Sequence, residues 1–311
     1  VKVRNAEITE LVKNVAKTTD HRAFPIVQED LLEDGWEYPE GYDSKRGRFR
    51  VGQYEGNKWG AKYLRAPEIF FTILEKGRGK ILRLRDVAKV RRGFTTGANE
   101  FFYLDEEAQK KWQIEREFLK PVIKSPKECD SILVNPRKLK YRLFLCSKPK
   151  SELKGTNALK YIEWGEKQKT EDGVLWPKVP SVSGRGNWYD LGLREPSKLN
   201  FNYLISEYGI TYVGEVFVSD NFHQVTTKEE IDLFMNSTLF WLFQNMIGRK
   251  SFGGGLLKIQ TYELEEILVL PTAKNGSETG KIYRRESRSI FEECGINPSK
   301  PIREQDPQPL P

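Results

Sequence analysis

Between residues 76 and 92, eight basic side chains (Lys76, Arg78, Lys80, Arg83, Arg85, Lys89, Arg91, Arg92) stand against a single acid, Asp86. Ile81, Leu82, Leu84, Val87 and Val90 are interleaved with them. Successive side chains of a strand point to opposite faces, so this pattern predicts strands with apolar residues inward and cations outward. The cations are thereby collected on one surface. The pattern stops at Gly93. Two adjacent hydroxyls follow, Thr95 and Thr96, then a Gly97-Ala98-Asn99 turn and the aromatic run Phe101, Phe102, Tyr103. Glycine permits positive φ or close backbone approach. Arg91, Arg92, Thr95, Thr96 and Asn99 are donors suited to phosphate oxygens and base edges. Read alone, the stretch is more simply an ordinary basic hairpin with polar turn residues.

The rest of the chain supplies context. Asp105 reads as the N-cap of a helix that runs to about Leu119 and is ended by Pro121. Between residues 120 and 150 lie nine further basic residues, with a strand at 141–146. Thr156 opens a helix that ends near Gly165. In Ser183-Gly184-Arg185-Gly186-Asn187-Trp188-Tyr189, two glycines flank an arginine and an asparagine precedes two aromatics. Such a loop can present Arg185 and Asn187 to base edges while Trp188 and Tyr189 anchor it; it also fits a plain Trp-pinned surface loop. A strand is expected at 211–220. Thr227-Lys228-Glu229-Glu230 has the form of a capping box opening the longest helix, to about Ile247, with an apolar and buried second half. Arg249 and Lys250 precede the triple glycine 253–255, and Lys258 follows it. The expected fold class is α+β: mixed, largely antiparallel sheets with one long buried helix.

Several function classes lack their residues. The histidines are His21 and His223 alone, too separated for a histidine-based metal site. Cys129, Cys146 and Cys294 form no CxxC and no disulfide framework, which suggests a reducing cytoplasm. No apolar run approaches membrane-spanning length, and the N-terminus has neither a signal-peptide block nor an initiator Met, as in a processed or excised chain. Phe252-Gly253-Gly254-Gly255-Leu256 approaches a methyl-donor glycine loop but has Leu where the last Gly is required. There is no Pro-Pro pair for an amine-binding loop, no phosphate-binding GxxxxGK[ST] loop and no Ser/His/Asp arrangement. Asp43 and Lys45 form a carboxylate–lysine pair that no strand pattern carries. The net charge of +7 favours an anionic partner. A DNA-cleaving nuclease and a protein-interaction scaffold with solvated basic faces remain as alternatives.

RRGFTTGANEFFYLD at 91–105 resembles a segment of the TaqI-like C-terminal specificity domain of adenine-N6 DNA methyltransferases, including fused type IIG restriction–modification enzymes. Further similar segments follow in order: FLKPVIKSPKE at 118–128, LKYIEWGEK at 159–167, RGNWYDLGL at 185–193, VSDNFHQV at 218–225, FMNSTLFWL at 234–242 and GGGLLKI at 253–259. Composition divides the chain into a connecting lobe at 1–65, a central region at 66–271, which the resemblance makes a target recognition domain, and a polar tail at 272–311. It implies a non-catalytic chain that grips double-stranded DNA beside a methyltransferase catalytic domain, fused or separate. Adenine flipping and S-adenosylmethionine would belong to that partner. The expected DNA-facing residues are Arg91, Arg92, Thr95, Thr96, Asn99, Arg185, Asn187, Trp188, Arg249, Lys250 and Lys258.

Overall fold

The computed structural model describes residues 66–205, 209–249, 256–272 and 288–306, with residue 286 and a few short pieces before residue 55. The helical pattern at Ile8, Leu11, Val12 and Val15, the Asp43–Lys45 pair, Lys250 and the glycines 253–255 lie outside the described residues.

The chain enters through helix α1 (Glu68–Lys76), strand β1 (Leu82–Arg83) and a single helical turn, α2 (Leu84–Val87). Strand β2 (Ala88–Arg92) follows, with Lys89 and Arg91 exposed and the residues between them half-buried. After a loop come α3 (Asn99–Phe102), β3 (Tyr103–Leu104) and α4 (Glu106–Trp112). Next are β4 (Leu119–Ile123), β5 (Tyr141–Phe144), α5 (Asn157–Gly165) and the short α6 (Pro180–Ser183). The second half contributes β6 (Ser197–Asn202), β7 (Leu204–Ile205), β8 (Thr211–Val218), β9 (Phe222–Thr227), α7 (Thr238–Ile247), β10 (Leu257–Lys258), α8 (Thr261–Glu266) and β11 (Leu268–Val269).

Seven of these strands make one sheet in the order β2-β9-β6-β8-β4-β5-β3. Every named pairing in it is antiparallel except β8 with β4, where Phe217 lies opposite Val122 and Val218 opposite Ile123. The sheet is therefore mixed and largely antiparallel, as the alternation implied. Two main cores form on it. The first is aromatic and gathers Phe101, Phe102, Phe144, Tyr161, Trp176 and Trp188. The stacked pair Phe101–Tyr161, with centroids 4.7 Å apart, sits near its centre. The second is built from α1, α7, β6, β9 and the 257–269 segment, around Leu199, Phe201, Val225, Phe240 and Phe243.

Local chemistry explains the helix starts, and corrects some expectations. Asp105 caps α4 by accepting from Ala108 N–H, and Thr156 caps α5 by accepting from Leu159 N–H. α4 ends at Trp112 rather than near Leu119, because Gln113 turns left-handed at φ 48°. Pro121 does not stop a helix; it lies within β4, opposite Arg142, one residue before the pairing with β8 begins. Proline is tolerated where a strand has a neighbour on one edge only. The buried helix is present, but it opens at Thr238 under a Ser237 cap. Thr227 belongs to the end of β9. Its hydroxyl donates to the Val87 carbonyl and accepts from Glu229 N–H, so the capping-box residues serve a turn instead. Within α7, Phe240, Phe243 and Gln244 are buried while Leu239 is 38% exposed.

Candidate nucleic-acid interface

The opening stretch is a strand, a loop and a helical turn. β2 is an edge strand, paired on one side only within the sheet, with Arg91 opposite Gln224 and Arg92 opposite His223. The chain leaves it through Gly93. A Cβ here would lie 2.1 Å from the Ser219 carbonyl oxygen, so only glycine fits. Phe94 buries its ring, and its amide donates to the Val218 carbonyl at 3.0 Å. Gly97 has φ 75°, and a Cβ there would also press on Ser181 and Val182. Both glycines shape the loop and seat it against its neighbours.

Arg185 ties this loop to the second glycine-flanked loop. Its Nη2 donates to the carbonyls of Thr95 at 3.0 Å and Thr96 at 2.9 Å, and its Nη1 donates to the Trp188 carbonyl at 3.3 Å. The guanidinium also sits 5.6 Å from the Phe102 ring centroid. Burial pulls its pKa below the usual guanidinium range, with Asp190 opposing. Trp188 is buried in the aromatic core, 4.5 Å from Phe101 between ring centroids, and its Nε1 donates to Glu166. It anchors the loop and does not face outward. Asn187 is half-buried, and its carbonyl accepts from Asp190 N–H. Thr96 is buried with its hydroxyl bonded to Asn99 Oδ1, whereas Thr95 and Asn99 lie at the surface.

The remaining candidates extend the same patch. Arg92 Nε donates to the Asp220 carbonyl at 2.8 Å, and its guanidinium lies 4.0 Å from the Tyr203 ring centroid. Lys258 Nζ lies 5.1 Å from that same ring. Lys258 and Arg249 exchange backbone hydrogen bonds of 3.0 and 2.8 Å. Arg249 itself is bound to Glu263 at 2.8 Å and to the Tyr262 hydroxyl. Most of the described candidates thus fall in two clusters, one held by Arg185 around the 93–99 loop and one around Tyr203 and Lys258, a grouping the sequence could not reveal. Within them Arg92, Thr96, Trp188 and Arg249 are engaged inside the fold and hold the surface in shape.

Among the described candidate cations, Arg91 is exposed and has no hydrogen-bond or ion-pair partner among the described residues. Beside it stands Arg194, which the sequence reading passed over. Its Nη1 donates to the Arg92 carbonyl at 3.2 Å, and its guanidinium lies 4.5 Å from the Phe94 ring centroid. Burial lowers the Arg194 pKa, and the positive charge of Arg91 lowers it further. Two like charges held together on a loop surface favour an anion between or beside them. The available sequence signal was the second glycine-flanked segment itself, RGNWYDLGL, which ends one residue before Arg194. Among the described residues, no group of three or more His, Cys, Asp or Glu side chains could hold a metal, and no helix is long and apolar enough to cross a membrane.

A seven-stranded, mixed and largely antiparallel sheet flanked by helices defines an α+β class of domain. The fold is shared with part of a solved type IIG restriction endonuclease, BpuSI, at a TM-score of 0.51 and 11% identity, covering 71% of this chain and 28% of that one. The chain belongs to the family of the C-terminal domain of the type II methyltransferase M.Eco57I, whose family model matches residues 56–293. The type II methyltransferase M.AccI of Acinetobacter calcoaceticus is 25% identical over 232 residues, spanning 68% of this chain and 40% of that protein. The chain therefore spans well under half the length of either relative.

Proposed function

We propose that this chain is the DNA target-recognition region of a site-specific adenine-N6 DNA methyltransferase of a restriction–modification system. It works in the cytoplasm beside a catalytic domain that holds S-adenosylmethionine. The observation that carries this reading is the Arg185 tie. It joins two glycine-shaped loops into one rigid surface, with Thr95, Asn99 and Arg91 displayed on it. A preorganised surface of neutral donors beside unpaired guanidinium charge matches duplex DNA, where phosphate contacts set register and polar side chains read base edges. On this reading donor chemistry belongs to the catalytic domain, and this chain supplies grip, register and sequence choice.

The test is binding of the purified 311-residue chain to short duplexes, read by fluorescence anisotropy across salt. Affinity is expected to fall steeply with salt, and one short site is expected to bind more tightly than scrambled competitors. Absence of binding to any duplex at low salt would sink the proposal, as would affinity that does not respond to salt.

A further inference from the structure

Leu193 is 81% exposed, whereas Ile69 reaches 56% and Leu133 45%. It does not sit on a loose tip. Gly192, on one side, has φ 77°, and its N–H is held at 2.8 Å by Asp190 Oδ1. Leu191 packs against the aromatic core. On the other side Arg194 is fixed to the Arg92 carbonyl and to the face of Phe94. The backbone on both sides is therefore anchored, and the turn holds an isobutyl group out into water. Leucine left in water forgoes the free energy of burial, and one held out by a turn anchored on both sides is positioned to enter an apolar slot of a partner.

The surroundings narrow that partner. Arg194 follows Leu193 in the chain and bonds the carbonyl of Arg92, next to the exposed Arg91, and the two like charges repel one another. An apolar protein surface that covered Leu193 would have to desolvate these cations as well, at a cost no hydrophobic contact offsets unless acids met them. Duplex DNA meets both requirements together. Its phosphates neutralise the arginines, and its stacked bases offer apolar faces between which a side chain can insert. We propose that Leu193 is a wedge that enters the base stack of the bound duplex and opens one step, while Arg91 and Arg194 hold the adjacent phosphate backbone. This rests on the DNA-recognition reading above and adds a positioning residue to it. Opening a step makes the duplex easier to distort next to a base that a catalytic domain must extract.

The test uses the full chain and a duplex site enriched by repeated binding selection, with 2-aminopurine, whose fluorescence rises on unstacking, placed at each position in turn. The wild-type chain should brighten the probe several-fold at one step. Leu193→Ala should abolish the rise and loosen binding by about tenfold, an amount in keeping with losing most of one leucine's burial. Leu193→Phe should retain the signal. Because the side chain is exposed, melting temperature should be the same in all three proteins. No brightening at any position by the wild-type chain, or equal brightening and affinity in Leu193→Ala, would overturn the wedge and leave recognition standing. No duplex binding by the wild-type chain would overturn both.

Discussion

Adjacent arginines of identical chemistry do different work here. Arg91 points to solvent from an edge strand, while Arg92 lies on Tyr203 and bonds the Asp220 carbonyl. Arg91→Ala should weaken duplex binding without lowering the melting temperature, and should reduce the slope of log affinity against log salt by about 1 if it contacts one phosphate. Arg92→Ala should also weaken binding, but with a loss of about 1–3 kcal/mol in stability, seen as a lower denaturant midpoint. Equal melting behaviour of the two variants would contradict this division. Below Arg92 is His223, fully buried, with Nε2 at 2.8 Å from the Ile259 carbonyl. Desolvation, with Arg92 adding repulsion, holds its pKa at about 4 against a backbone hydrogen bond that favours the charged form. The free imidazole titrates near 6.5, so between pH 6.5 and 4 the unfolded chain binds more protons than the folded one. Stability should therefore drop as the pH is lowered through that window, by roughly 1.4 kcal/mol per unit at most. Urea unfolding of wild type and His223→Gln, followed from pH 7 to pH 4, should show the steeper decline in the wild type. At this scale the sequence identified which residue types could meet DNA. It could not say which were already engaged inside the fold, because Tyr203 and Asp220 lie more than a hundred positions from Arg92.

Elements became legible wherever their signal was local. The cap at Asp105, the helix opening at Thr156 and the strand pattern at 211–220 depend on neighbours a few residues away; all three appear, the strand ending two residues early at Val218. The capping box at Thr227 misled because the same hydroxyl can close a turn, and pairing of β9 with β2 decided the matter: Thr227 lies opposite Ala88. Loop shape was half legible. Gly93 and Gly97 were visible as turn residues, but the reason each must be glycine is tertiary: the Ser219 carbonyl for one, Ser181 and Val182 for the other. Gly97→Ala combines a left-handed backbone with a blocked Cβ, and it should cost at least about 1 kcal/mol. It should also loosen duplex binding by displacing Thr95 and Asn99. Arg185→Ala should loosen binding in a similar way, because the two carbonyls it holds belong to that same loop. Arg185→Lys should restore little, since an ammonium lacks the fork that spans the Thr95, Thr96 and Trp188 carbonyls. Limited proteolysis within 93–99 and 183–187 provides the readout. Unchanged cleavage in both variants would show that the loops hold their shape independently.

At the scale of the whole molecule, two large cores and a smaller one around Tyr212 and Phe222 share one sheet, and the candidate surface runs along the segments that join the two large ones. Phe94, Arg185 and Trp188 belong to the aromatic side; Tyr203, Lys258 and Arg249 belong to the side built on α7 and α8. Arg92 at the end of β2 and the β6–β9 pairing tie the two together. Under the proposed function, DNA binding is a property of the assembled fold, because no single element carries enough of the surface. Electrostatic affinity then counts phosphates across both sides of the sheet. With a net charge of +7 and Arg91, Arg194 and Lys258 on connected parts of the surface, several phosphates should be engaged together. For about four contacts, log affinity should fall with log salt at a slope near −3.6. The Arg91→Ala change should remove about one unit of that slope on every sequence tested, whereas Asn99→Ala should leave the slope unchanged and reduce preference for the selected site. If Asn99→Ala lowered affinity equally for selected and scrambled duplexes, the division into gripping cations and reading loops would fail. A slope indistinguishable from zero in the wild-type chain would return the basic surface to being merely solvated.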